Sequence, residues 1–129
     1  MSATLPRLSK LELQVLEALW AGGEASIREI HETFPEPRPA YTTIQTIVNR
    51  LEGKQALRRV SKVGNAHIYE PLVARQAVRR RLLDHILSYF GGQALPMIAQ
   101  LAECGKLTMH DVREVEKMLK RRHKDAEDA

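Results

Sequence analysis

Thr42, Gln45, Thr46 and Asn49 stand at i, i+3, i+4 and i+7, so a helix through them gathers four uncharged hydrogen-bonding side chains on one face, with Thr43 and Arg50 beside it. That face lacks the Glu and Lys that usually fill an exposed helix surface. Its side chains are short and can approach another surface closely at small entropic cost. The matching chemistry is the polar edge of a base pair: a Gln amide can pair two-pronged with adenine, and a Thr methyl can meet that of thymine. No Arg or Lys lies in the first turns, so two-pronged guanine reading is not expected. Lys54, Arg58, Arg59 and Lys62 follow directly, a set of cations suited to holding phosphates.

Other chemistry is poorly served. His31, His67, His85, His110 and His123 are scattered, and only Cys104 with His110 approaches a ligand spacing. One such pair falls short of a zinc site, which takes four ligands. Cys104, His110 and Asp111 straddle a loop with no glycine-rich turn to hold an oxyanion. The sequence therefore predicts no catalytic residues, no metal site and no cofactor.

The other face of the reading helix carries Ile44, Ile47, Val48 and Leu51, which must be seated on something. Upstream, Ser9 and Glu12 form a capping-box pair, Leu8 and Leu13 are spaced as a staple, and Leu13, Leu16, Leu19 and Trp20 line an inner face until Gly22-Gly23. Ser26 and Glu29 open a second, short helix with Ile27, Ile30 and Phe34 inward, ended by Pro35, Pro37 and Pro39. The third helix closes around Lys54. Downstream the period changes to short strands at 57–62 and 67–70, around a turn where Gly64 and Asn65 are best able to take positive φ. Three helices and a hairpin in this order predict a winged helix-turn-helix over residues 1–72.

Residues 73–129 read as helical. Val78, Leu82, Leu83, Ile86, Leu87 and Phe90 make one stripe; Gly91-Gly92 break it; Leu95, Ile98 and Leu101 follow in a short helix. Thr108 and Asp111 cap a last helix with Val112, Val115, Met118 and Leu119 inward, cations from Lys117 to Lys124 at its negative pole, and a frayed tail over 125–129. About 55 residues of this kind bury too little to be stable alone. A second copy of the chain is the natural cover, with packing back onto the N-terminal domain as the alternative, and Leu83, Ile86, Leu87, Phe90, Leu95, Ile98, Leu101, Val115 and Leu119 are the expected dimerisation residues.

The totals agree with a mainly α fold carrying a small β-hairpin wing. The 129 residues are 43% hydrophobic but only 5% aromatic, so aliphatic side chains must build the core. Net charge is +4, and residues 40–81 hold nine cations against Glu52 and Glu70, which leaves the rest of the chain net negative. No apolar run is long enough for membrane insertion, and the N-terminus lacks a signal peptide's apolar segment. A single cysteine fits a reducing cytoplasm.

The pattern resembles the bacterial penicillinase and methicillin-resistance repressor family (BlaI/MecI/CopY type). The residues that carry the resemblance are Leu8-Ser9-Lys10-Leu11-Glu12-Leu13-Gln14-Val15-Leu16 with Trp20, Tyr41-Thr42-Thr43-Ile44 through Asn49-Arg50-Leu51, Gly64, Tyr69-Glu70-Pro71 and Gly91-Gly92. It implies a homodimer that binds a palindromic double-stranded DNA operator and blocks transcription. It implies that Thr42, Thr43, Gln45 and Thr46 face the major groove, and that Asn49, Arg50, Lys54, Lys62 and Asn65 serve mainly phosphates, which Arg58 of the basic segment would join. It further implies a membrane metalloprotease receptor as partner, cutting an Asn-Phe pair ahead of the last helix. Here Gln100-Leu101 stands at that place, and the paired cysteines of the copper-responsive branch are missing. Two other readings stay open on the residues alone: a winged-helix adaptor that binds protein, and a repressor controlled by a small effector.

Overall fold

A computed structural model describes residues 8–128. The elements run α1 (Lys10–Gly22), β1 (Ala25–Ser26), α2 (Ile27–Thr33), α3 (Tyr41–Gly53), β2 (Leu57–Val63), β3 (Ala66–Pro71), α4 (Arg75–Ser88), α5 (Ala94–Glu103) and α6 (Met109–Asp128). The fold is mainly α with a small antiparallel sheet, as the periodicities predict. The chain divides into two compact units after Leu82, inside α4 and ten residues beyond the junction expected at 72/73.

Local chemistry starts the helices of the first unit. The Ser9 hydroxyl accepts from the Glu12 amide at 3.2 Å while the Glu12 carboxylate accepts from the Ser9 amide at 3.0 Å. Ser26 and Glu29 repeat the arrangement at 3.2 and 2.9 Å. Each box satisfies amides that have no partner inside the helix. α3 has no such cap, because Ala40 precedes it.

The inner face of α1 is rotated from the expected one. Glu12, Val15, Leu16 and Leu19 are buried, whereas Leu13 and Trp20 are half-buried. The stripe keeps the i, i+3, i+4, i+7 spacing, and it admits Glu12 because that carboxylate is satisfied on both oxygens. Trp20 turns its polar edge elsewhere, its indole Nε1–H donating to the Val73 carbonyl at 3.0 Å.

The core joins Val15, Leu16 and Leu19 of α1, Ile30 and Phe34, the four apolar residues of α3, and Ala56, Leu57 and Tyr69. Ile44, Val48 and Leu51 are fully enclosed and Ile47 nearly so. The third helix is therefore seated on its predicted apolar face.

The sheet has the order β1-β3-β2. β1 was not expected, since two residues have no period to read; it pairs Ala25 with Tyr69 and Ser26 with Ile68. β2 and β3 form the hairpin, with a register shift between Arg59 and Ser61 that leaves Val60 unopposed. Gly64 takes φ +62° at the tip, while Asn65 keeps a negative φ.

The second unit is helical throughout. Thr108 and Asp111 cap α6 as expected, at 3.0 and 3.1 Å. Two expectations at its far end are corrected. Residues 125–128 are helical rather than frayed (Ala129 lies outside the described residues), so the cations of 117–124 sit mid-helix and no basic residue occupies the last turn. Pairs between Lys120 and Glu116 and between His123 and Glu127 continue the helix through this region. From Leu83 to Asp128 no residue is buried within the chain.

Candidate nucleic-acid interface

With Ile44, Ile47, Val48 and Leu51 anchored, the opposite side of α3 is forced outward. Thr42, Thr43, Gln45, Thr46, Asn49 and Arg50 are all exposed. The one carboxylate of α3, Glu52, is held by Arg59 at 3.1 Å, so it does not place free negative charge on this face. Thr46 is partly committed: its hydroxyl donates to the Thr42 carbonyl at 3.0 Å. Its oxygen is left as an acceptor, which suits an exocyclic amino group such as adenine N6.

The cations divide into two groups. Arg50 and Lys62 are exposed and join no ion pair among the described residues. Arg58 is bound across the hairpin to Glu70 at 2.6 Å, and Lys54 reaches Glu12 on α1 at 2.7 Å. Arg59 also lies over the Tyr69 ring, 6.0 Å from its centroid, and so ties β2 to both α3 and β3. Asn65 is exposed at the hairpin tip beside Gly64.

Burial pushes the Glu12 carboxyl up, yet the Lys54 ammonium and the Ser9 amide and hydroxyl outweigh it, and the group ends below its ordinary value. Glu29 is also lowered, by the Ser26 amide above all, and Asp111 by the Thr108 amide.

The start of α3 is set by contacts that sequence reading passed over. His31 has no partner in the sequence pattern, but in the fold its Nε2 lies 2.9 Å from the Pro39 carbonyl. Because that oxygen can only accept, Nε2 carries the proton. The His31 ring packs edge-on against Tyr41 with centroids 5.6 Å apart, and Arg38 donates back to the Phe34 carbonyl at 2.8 Å. Residues 31, 38 and 41 are assembled by the proline loop, and no spacing rule reports such a cluster.

The profile of the penicillinase repressor family matches residues 8–121. The chain belongs to that family. This membership makes it a DNA-binding transcriptional repressor rather than an enzyme. Among solved structures, the DNA-binding domain of the repressor BlaI is similar at 27% identity, with 57% of this chain and 90% of that one covered and a TM-score of 0.49. Monomeric Bacillus licheniformis BlaI in complex with the blaP half-operator is similar at 27% identity over 57% and 89%, with a TM-score of 0.48. A cysteine-to-serine mutant of MarR from E. coli, 14% identical over 88% and 76% at a TM-score of 0.52, shares the fold. No curated protein matches the sequence.

The repressor's remaining chemistry is sparse. Among the described residues no three His, Cys, Asp or Glu side chains come together as metal ligands. Cys104 is exposed at the end of α5, with the Gln100 amide 3.5 Å from its sulfur. No helix of the described residues is long and apolar enough to cross a membrane.

Proposed function

We propose that the repressor acts as a homodimer on a palindromic operator, with α3 of each copy in the major groove and the hairpin over the neighbouring backbone. The observation that carries this reading is the exposed, uncharged face of α3, anchored from behind by four buried aliphatic side chains. Thr42, Thr43, Gln45 and Thr46 read base edges, favouring adenine and thymine at the contacted positions. Asn49, Arg50, Lys62 and Asn65 serve phosphates, and Arg58 joins them by exchanging Glu70 for the backbone. The uncapped amides at the start of α3 add an N-terminus suited to a phosphate oxygen.

Dimerisation falls to the second unit. Leu83, Ile86, Leu95, Ile98, Leu101, Val115 and Leu119 are exposed within the chain, and Leu87 and Phe90 are half-buried. So large an apolar surface with no buried residue behind it calls for a second copy. Access to an operator places the dimer in the cytoplasm.

A membrane metalloprotease receptor is the partner implied for release. Gln100 and Leu101 lie within α5, and their carbonyls accept from the Cys104 and Lys106 amides at 3.0 and 2.9 Å. Cleavage there requires α5 to unwind. Recovery of an intact chain from induced cells would remove the protease from this reading.

The test is the salt dependence of binding to duplex DNA. A dimer that neutralises several phosphates loses affinity by orders of magnitude across a few-fold rise in salt. Binding insensitive to salt would favour an adaptor that recognises protein.

A further inference from the structure

Lys54 follows α3 as the first cation after the reading face, a position that suggests phosphate contact, but its surroundings fit another role. Its ammonium lies 2.7 Å from Glu12 Oε2, and the Glu12 side chain is only 8% exposed. The other carboxylate oxygen of Glu12 accepts the Ser9 amide that closes the α1 capping box. Lys54 is itself the C-cap of α3, its amide donating to the Arg50 carbonyl at 2.9 Å. One carboxylate thus joins the start of α1 to the end of α3, 42 residues apart. On the far side of the same turn, Glu52 is held by Arg59 of β2.

We propose that Glu12 and Lys54 are positioning residues that fix the C-terminal end of the recognition helix, and that Lys54 acts on DNA through this bridge rather than by holding a phosphate. A carboxylate this enclosed is costly to leave without its cation, so the pair constrains the helix end more firmly than a surface ion pair does. The inference rests on the DNA-binding reading of α3.

The two roles for Lys54 predict opposite signs for Glu12→Gln. This substitution keeps an oxygen for the Ser9 amide and puts an amide nitrogen, which can only donate, where Lys54 is held, so the charge and the bridge are lost together. If Lys54 held a phosphate, losing the nearby negative charge would tighten binding and steepen its salt dependence. As a positioning pair, Glu12→Gln loosens α3 and weakens binding to a duplex selected from a random pool by about tenfold, with an unchanged salt slope and little effect on an unrelated duplex of equal length. Lys54→Met does the same, Lys54→Arg restores affinity, and the double variant is no worse than the poorer single one. Tighter binding by Glu12→Gln, unchanged affinity, or a shallower slope in Lys54→Met would overturn the proposal. A normal loss of slope in Arg50→Ala measured alongside keeps the DNA-binding reading standing in that event. Selection of no duplex by the unaltered chain would instead remove the reading itself.

Discussion

Gln45 and Arg50 are both exposed on α3, yet they are assigned different work, and each assignment has its own signature. Gln45→Ala should relax base preference at one operator position at a cost of about 1–3 kcal/mol, read from affinities for a panel of single-base variants. Arg50→Ala should weaken binding to every sequence alike and flatten the salt slope by about one unit; an unchanged slope would remove Arg50 from the phosphate set. Glu12 supplies a pH test. Its carboxyl is held below the ordinary value of 4.5, so its contribution to stability is present above that value and is lost as pH falls through the lower, folded value. Denaturant midpoints of the wild type and Glu12→Gln should therefore differ near neutrality and converge in acid. Single residues with local partners were legible in the sequence. Ser9 with Glu12 and Ser26 with Glu29 are three apart, and both boxes formed. The second partner of Glu12 is Lys54, 42 positions away, and only the folded chain brings them together.

The third helix shows why elements with a strong period are readable and those without one are not. Its apolar and polar residues repeat on opposite faces, and burial follows that division residue by residue. The two-residue β1 has no such repeat, and it pairs with β3 because the chain turns back at Gly23, which takes φ +85°. The end of α6 departs from the sequence expectation for another reason. A cationic run near a terminus suggests a stop, but the pairs Lys120–Glu116 and His123–Glu127 extend the helix past it. The hairpin offers the element-scale prediction. Gly64 holds φ +62° at the tip, where a β-branched side chain is strained. Gly64→Val should cost about 1–3 kcal/mol in thermal unfolding and weaken operator binding without altering which bases are preferred, since the wing is assigned to phosphates.

At the scale of the whole molecule the two units differ: the first presents the exposed polar face of α3 on a closed core, and the second presents apolar surface without a core of its own. Leu119 is 62% exposed within the chain, so Leu119→Asp leaves the single chain's core untouched. It should give monomers in sedimentation experiments that bind a half-site but bind a palindrome poorly; intact dimers would refute this placement of the interface. The sequence turns helical for good near residue 73, whereas the compact units separate after Leu82. Arg75 and Arg79 hold Glu17 at 2.9 and 3.5 Å and Val78 is buried, so the first turns of α4 belong with the first unit. No stripe pattern distinguishes these turns from the rest of α4. Whether α3 reads DNA sequence is decided by selection from random duplexes followed by contact mapping. A helix that reads as proposed selects a two-fold symmetric site with adenine and thymine at the contacted positions. Contacts mainly to guanine, or no enriched sequence at all, would contradict it.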